Sequence, residues 1–277
     1  MTILVTGATA SVGRLLVDEL VAAGAPVRAL TNKPARAALP AEVEVAVGYL
    51  GRPESLPAAL QGVDTVYLAP LPAYVDDFVR CAREAGVRRV VVLSGEPADY
   101  EAQGDPASWH YYRLEKAIEE AGFEWTFLRP GQFMTNTLDW APSIKAEGVV
   151  RAPYADAVQT PIDLVDIAAV ARVVLLDEAY TGQKLVMSGP EGITQPQEVA
   201  HIAAALGREV KFEELTPQQY LDQLAPVIGL ETAQWLLDGF RMMAEHPMTP
   251  EPTVAELTGR PPTTYREWAE RNVAAFR

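Results

Sequence analysis

The stretch Thr6–Gly13, TGATASVG, follows one apolar run and opens another of helical spacing. Gly7 allows a tight turn, and Gly13 allows a helix to pack closely on the strand before it. The N-terminus of such a helix offers unpaired N–H groups and a positive dipole end, which suit a pyrophosphate. Thr9 and Ser11 add hydroxyl donors, and Val12 starts the apolar face of the helix. Dinucleotide-binding turns usually place a glycine where the backbone comes nearest the pyrophosphate. Here Ala10 stands at that point. A methyl group is the smallest possible obstruction, so the turn reads as a cofactor site that survives with some affinity lost. The alternative is a strand–helix corner that no longer holds a ligand.

The end of the second apolar run selects between dinucleotides. A carboxylate about 20 residues after the turn would hold the ribose hydroxyls of NAD. The sequence RALTNKPAR instead has Thr31 and Asn32, then Lys33 and Arg36. Two cations with no opposing acid favour a 2′-phosphate, hence NADP(H) over NAD(H). The alternative is that both are ordinary solvated loop cations. Farther on, YRLEK puts Tyr112 and Lys116 four residues apart. On a helix they share one face, as proton transfer through a common network requires. His110 is a second candidate proton donor because histidine titrates near neutrality, although a polar helix start would also account for it.

These groups need a scaffold, and the first half of the chain supplies an alternating one. Apolar, β-branched runs recur at TILVTG, PVRALT, VEVAVG, DTVYLA, RRVVVLSG and WTFLRP. Helical patterns lie between several of them, over about 11–23, 75–85 and 107–121, ended by Gly24, Gly86 and Gly122. Continuous apolar strands alternating with helices predict a parallel sheet covered on both faces, a doubly wound α/β fold. Past Pro130 the rhythm changes. TPIDLVDIAAVARVVLL predicts a helix capped by Asp163 or Asp166, and QKLVMSG one more strand. Helices are expected at 195–206, 217–228 and 231–245, then a Pro-rich loop, and a last helix docked through Trp268 and Phe276. The predicted core is 1–130 with a returning segment at about 160–188. Residues 131–158 and 189–277 form a smaller, mainly helical lobe.

Composition narrows the function. About half of the 277 residues are apolar, enough for a sizeable core, and the net charge is −14. That charge argues against nucleic acid and anionic membrane partners, which require clustered Lys and Arg. Cys81 is the sole cysteine, which excludes an intramolecular disulfide and fits a reducing cytoplasm. ILVTG is already strand-like by residue 3, so no signal peptide is expected before the fold, and no apolar run is long enough to span a bilayer. There is no G-x-S-x-G elbow, and three scattered histidines with one cysteine make no metal-ligand spacing. A metal-free protein acting on a small molecule, as monomer or homodimer, is expected.

Several stretches together resemble one family: TGATASVG, VRALTNKPAR, AREAGVRRVVVLSG, LEKAIEEAGFEWTFLRPGQFMTN, TPIDLVDIAAVA and ELTGRPPTTYREW. In order and spacing they are similar to the NmrA-like branch of atypical short-chain dehydrogenases/reductases, over nearly the whole chain. The resemblance implies a Rossmann domain with a C-terminal lobe, and substrate bound between them. It also assigns roles. Tyr112 would protonate the substrate oxygen as hydride arrives, Lys116 would lower the tyrosine's pKa and hold the ribose, and Ser94 would position that oxygen. Ala69 and Pro70 would complete the cofactor contacts. Pro130, Gly131 and Phe133 would wall the nicotinamide, with Asn136 as a polar contact to substrate. Trp140, Tyr154 and Trp235 would line the substrate site with Phe133. Ala10 departs from the family's TGATGxxG. The family includes non-catalytic redox-sensing regulators and relatives whose lysine acts as a base, so both remain beside the leading expectation. That expectation is an NADPH-dependent reductase of a small, largely apolar carbonyl, quinone or conjugated compound.

Overall fold

A computed structural model describes residues 2–105 and 110–277. In chain order its elements begin with β1 (Ile3–Val5), α1 (Ser11–Ala22), β2 (Val27–Thr31), β3 (Glu44–Val47), α2 (Leu56–Leu60) and β4 (Thr65–Leu68). Then come α3 (Val75–Glu84), β5 (Arg89–Leu93), α4 (Ala98–Glu101), α5 (Tyr111–Glu120) and β6 (Glu124–Pro130). They continue with α6 (Ala141–Glu147), β7 (Val149–Pro153), β8 (Val158–Gln159), α7 (Leu164–Leu176) and β9 (Gln183–Met187). The last are β10 (Ile193–Thr194), α8 (Gln195–Leu206), β11 (Lys211–Leu215), α9 (Pro217–Ile228), α10 (Leu230–Glu245), α11 (Thr253–Thr258) and α12 (Tyr265–Asn272). The helix expected from about Ala107 starts at Tyr111; residues 107–109 lie outside the described ones.

The chain divides into two compact units, 1–131 with 164–187 and 253–260, and 132–163 with 188–252 and 261–277. The first is a seven-stranded parallel sheet in the order β3-β2-β1-β4-β5-β6-β9. Every residue of β4 and β5 is buried, which is why those runs are apolar throughout rather than alternating. On one face Leu4, Val66, Val90, Val92 and Phe127 pack with Phe78, Leu114 and Ile118 of α3 and α5. On the other, α7 packs against α1, and Arg172 pairs with Glu19 at 3.2 Å between them. The helices stop where glycine takes a positive φ, at Gly24, Gly86 and Gly122.

Two charged residues interrupt this apolar pattern for structural reasons. Arg89, fully buried at the start of β5, donates through Nη2 to the carbonyls of Val174 (2.6 Å) and Asp177 (3.1 Å). It thereby receives the C-terminal end of α7, where unpaired carbonyls and the negative dipole end favour a cation. Asp166, expected as a cap, is buried in the first turn of α7 and pairs with Arg260 at 2.6 Å. The segment Thr253–Arg260, expected in the lobe, therefore belongs to the first unit.

The second unit is mainly helical, with two small sheets that the sequence pattern did not reveal. β7 pairs with β11 in parallel, and β8 with β10 in antiparallel. Thr194, Thr216 and Thr264 each cap a helix, with Gln197, Gln219 and Glu267 closing the capping boxes. Trp268 and Phe276 are buried, as their spacing predicts, with Ile144, Val150, Val199 and Ile202. A polar seam crosses this unit. Tyr265 donates to Thr137 Oγ1 at 2.7 Å, and Gln159 donates to Glu198 at 2.9 Å. Burial pushes the Glu198 carboxyl up to about 8, against the opposing pull of the bond from Gln159. Asp163, the other expected cap, directly precedes α7 and pairs with Arg271. Among the described residues, no helix is long and apolar enough to cross a membrane.

Candidate cofactor and catalytic site

The turn after β1 is built as its glycines suggest. Thr6 is buried; its hydroxyl donates to the Tyr67 carbonyl (3.0 Å) and accepts from the Ala69 N–H (2.8 Å), tying β1 to the end of β4. The chain then reverses at Gly7, φ 61°. The Ala10 N–H closes the turn on the Gly7 carbonyl at 2.8 Å, and the Arg14 N–H bonds the Ala10 carbonyl at 2.8 Å as α1 begins. A Cβ at position 13 would sit 2.2 Å from the Gly7 carbonyl oxygen. Only glycine fits there. Val12 is buried, whereas Thr9, Ala10 and Ser11 are exposed at the helix start. Ala10 occupies the N-cap position in extended backbone (φ −88°, ψ 173°), and no side chain caps the helix there. The conformation therefore does not require glycine at position 10; only the space taken by a methyl group is at issue.

A cavity of about 310 Å³ opens over this turn. Six residues named from the sequence meet around it: Gly7, Thr9, Ala10, Asn32, Ala69 and Pro70. Thr31, noted beside Asn32 at the end of the second apolar run, also lines it; sequence reasoning missed the other five, Leu30, Gly48, Tyr49, Leu50 and Leu71. All belong to the carboxyl ends of β4, β1, β2 and β3 or to the loops that follow, where open α/β sheets bind ligands. Lys33 and Arg36 are exposed beside it and are not part of its lining. The Lys33 N–H bonds Thr31 Oγ1 at 3.1 Å, starting a single 3₁₀ turn over Pro34–Arg36. The loop then passes through Ala38 at φ 45°, whose carbonyl accepts from Arg14 Nη2 at 3.3 Å. Arg14, which also pairs with Asp18 at 2.5 Å, thus reaches this corner, and the sequence pattern did not single it out. No carboxylate lines the cavity.

The catalytic candidates separate. Ser94, at the end of β5, is buried and donates to Glu115 Oε1 at 2.5 Å. Glu115 is itself held by Arg129, Nε to Oε1 at 2.8 Å and Nη2 to Oε2 at 2.7 Å. The other edge of the same guanidinium grips Asp99 at 2.7 and 2.9 Å. The Ser94 proton is thus directed into this buried network. Tyr112 and Lys116 do lie one helical turn apart on α5, both half-buried, with Lys116 Nζ 3.9 Å from Glu120. The start of α5 is fixed by the buried Glu101, which accepts from the N–H groups of His110 (3.1 Å) and Tyr112 (2.9 Å). Tyr111 lies against Gly95, where a Cβ would come within 2.7–2.8 Å of three ring atoms. Burial, then the nearby Glu101, raises the Tyr111 hydroxyl above the usual phenol range. Of the two neighbours, Tyr111 is the packing residue. His110 is exposed.

Pro130 is buried at the end of β6, and its carbonyl accepts from the Glu96 N–H at 3.2 Å. In the second unit, Phe133 is half-buried and bridges to Ile162, while Asn136 is exposed and donates to Gln132 at 2.8 Å. Trp140 packs on that unit's core, Tyr154 takes a left-handed backbone (φ 52°), and Trp235 stands exposed on α10.

A model of the NmrA-like family matches residues 1–269. The chain belongs to the NmrA-like family. It is 38% identical, over 99% of both chains, to the (4-alkanoyl-5-oxo-2,5-dihydrofuran-3-yl)methyl phosphate reductase of Streptomyces griseus. It is 32% identical, again over 99% of both, to the NAD(P)H azoreductase of Xenophilus azovorans. Among solved structures it is similar to the NADPH complex of an Escherichia coli NADPH-dependent quinone oxidoreductase, with TM-score 0.85 and 25% identity, covering 97% of this chain and 99% of that one. Family membership accords with the Rossmann order of the sheet and the helical second unit. Ala10 is this chain's departure from the pattern TGATGxxG, and it sits in a turn whose geometry is intact.

Proposed function

We propose that this NmrA-like protein is an NADPH-dependent reductase of small, largely apolar conjugated carbonyl compounds. The observation that carries the reading is the acid-free cavity over the Gly7–Gly13 turn, with Lys33 and Arg36 exposed beside the end of β2. The close approach of Gly13 to the Gly7 carbonyl leaves the helix start open to a pyrophosphate, so the residues present fit the cofactor. NADPH, when bound, supplies the hydride. Thr9 and Ser11 would offer hydroxyls to the pyrophosphate, Asn32 would hold the ribose, and Lys33 and Arg36 would take the 2′-phosphate. Tyr112 gives up its phenolic proton to the substrate oxygen, and Lys116 on the same helix face stabilises the phenolate that forms. The Streptomyces griseus relative, by its name, reduces an alkanoyl-substituted oxo-dihydrofuran that carries a methyl phosphate, an unsaturated lactone whose ring double bond is conjugated to the lactone and alkanoyl carbonyls. That relative supports a conjugated acceptor over an isolated ketone.

Cofactor choice tests the 2′-phosphate assignment. Calorimetric titration is expected to give tighter binding of NADPH than of NADH. Replacing both Lys33 and Arg36 by alanine should remove most of that preference, since a hydrogen bond to a charged group contributes about 1.5–3 kcal/mol. Equal affinities in the unaltered protein would end this reading.

The same titration interrogates position 10. Ala10→Gly should tighten NADPH binding or leave it unchanged, because extended backbone at Ala10 needs no glycine and only a methyl is removed. A tenfold weakening with the fold intact would mean that Ala10 belongs to a rebuilt turn, and the methyl is no obstruction.

A further inference from the structure

Tyr49 is an exposed aromatic ring at the edge of the cavity. It keeps 43% of its surface accessible and lines the cavity together with Leu30, Leu50 and Leu71. Its backbone is pinned on both sides. The Tyr49 N–H donates to Ser55 Oγ at 3.0 Å, Ser55 Oγ donates to the Arg52 carbonyl at 2.7 Å, and the Arg52 N–H returns to the Tyr49 carbonyl at 2.9 Å. The ring rests against Gly51, where a Cβ would fall 2.5 Å from Cε1 and 3.1 Å from Cδ1. Gly48, on the other side, is pressed on Leu30, with a Cβ there only 2.8 Å from Leu30 Cδ1. The backbone hydrogen bonds and the contact with Gly51 seat the ring at this edge.

The sheet order says what such a ring would meet. The cavity crosses strand ends in the sequence β4, β1, β2, β3, and the pyrophosphate turn lies on β1. Tyr49, after β3, is at the far end from Ala69 and Pro70, which follow β4. The polar side chains that line the cavity, other than Tyr49 itself, are Thr9, Thr31 and Asn32, all on the turn or on β2 and its end. Thr31 Oγ1 already accepts from the Lys33 N–H. The β3 end is an aromatic and aliphatic slot.

We infer that Tyr49 is the stacking wall for the purine base of the dinucleotide, and that the base is recognised by its face, with its edge left unread. This rests on the NADPH reading given above. Stacking on an aromatic side chain tolerates any base because every base has a π-face. The protein should therefore accept the hypoxanthine analogue of NADPH about as well as NADPH itself.

The test titrates NADPH, its hypoxanthine analogue and 2′,5′-ADP against the wild type and three variants. Tyr49→Phe should bind all three like wild type. Tyr49→Ala and Tyr49→Leu should each weaken all three by about tenfold, within the range for loss of one base–aromatic stack. The leucine variant fills the space without a π-face, so it carries the test even should the alanine variant not fold. Wild-type affinity for 2′,5′-ADP in a folded Tyr49→Leu protein would overturn the stacking role. A tenfold weaker hypoxanthine analogue would overturn recognition by face alone. Those two results leave the NADPH reading standing. A wild type that binds neither NADPH nor 2′,5′-ADP overturns both together.

Discussion

Tyr112→Phe is expected to lower turnover of a conjugated carbonyl substrate by roughly 10²–10⁴, the contribution of a positioned general acid, while NADPH affinity stays near wild type. Only one hydroxyl is removed, and the backbone that places it is untouched. Glu101 grips the N–H groups of His110 and Tyr112, so the start of α5 does not depend on that hydroxyl. Lys116→Met should reduce both rate and NADPH affinity, because that lysine is assigned to the ribose as well as to the tyrosine. The measurement is NADPH oxidation with a panel of enones, quinones and ketones, alongside cofactor affinity for each variant. Full activity in Tyr112→Phe would discard the tyrosine and keep the reductase, with the exposed His110 or water as the proton source. A wild type that binds NADPH and reduces nothing on the panel would favour a redox sensor instead.

Glu115→Ala should cost about 3–5 kcal/mol of stability, the usual penalty for removing one partner of a buried ion pair. Glu115 is fully buried and Arg129 is 2% exposed, so the guanidinium cannot turn to water when its partner is lost. Asp99 would still hold the outer edge, which places the loss toward the lower end of that range. The Ser94 hydroxyl also loses its acceptor. Urea unfolding monitored by circular dichroism reads the change, provided that both proteins unfold in one transition. Glu115→Gln keeps the shape and one acceptor and should fall in between. A loss below 1 kcal/mol for the alanine variant would mean that the network is solvated.

The same network shows where sequence reasoning reaches its limit. The sheet was legible because each strand announces itself locally, by β-branched apolar residues and a glycine that stops the helix before the next strand. Helices α8 and α9 were legible to the residue because threonine, proline and glutamine mark their starts and glycine their ends. Glu115 carries no such signal. In YRLEK it reads as one more charge on a helix face, and its burial depends on Arg129 and Ser94, 14 and 21 residues away. Arg89 is concealed in the same way, since RRVVVL does not disclose that it meets the end of α7. β11 is a short charged strand whose partner β7 lies about 60 residues earlier, so its local pattern could not identify the pairing. In the candidate site, the glycine turn and Asn32 were readable from spacing. Tyr49 was not, because its meaning depends on Gly51 lying beneath its ring.

The order of the sheet has a consequence for the chain while it is being made. β6 is flanked by β5 on one side and by β9 on the other. β5 precedes it directly, whereas β9 begins at Gln183, after the excursion of 132–163 into the second unit and the whole of α7. At a synthesis rate of about 5–20 residues per second, β6 waits roughly 3–10 s on the ribosome with one edge unpaired. An unpaired strand edge is a template for another chain. α7, which covers α1, emerges in the same interval. The nucleotide-binding half of this protein is therefore not finished when its last named motif has been translated; it closes only when a segment from beyond the first stretch of the other unit comes back to complete it.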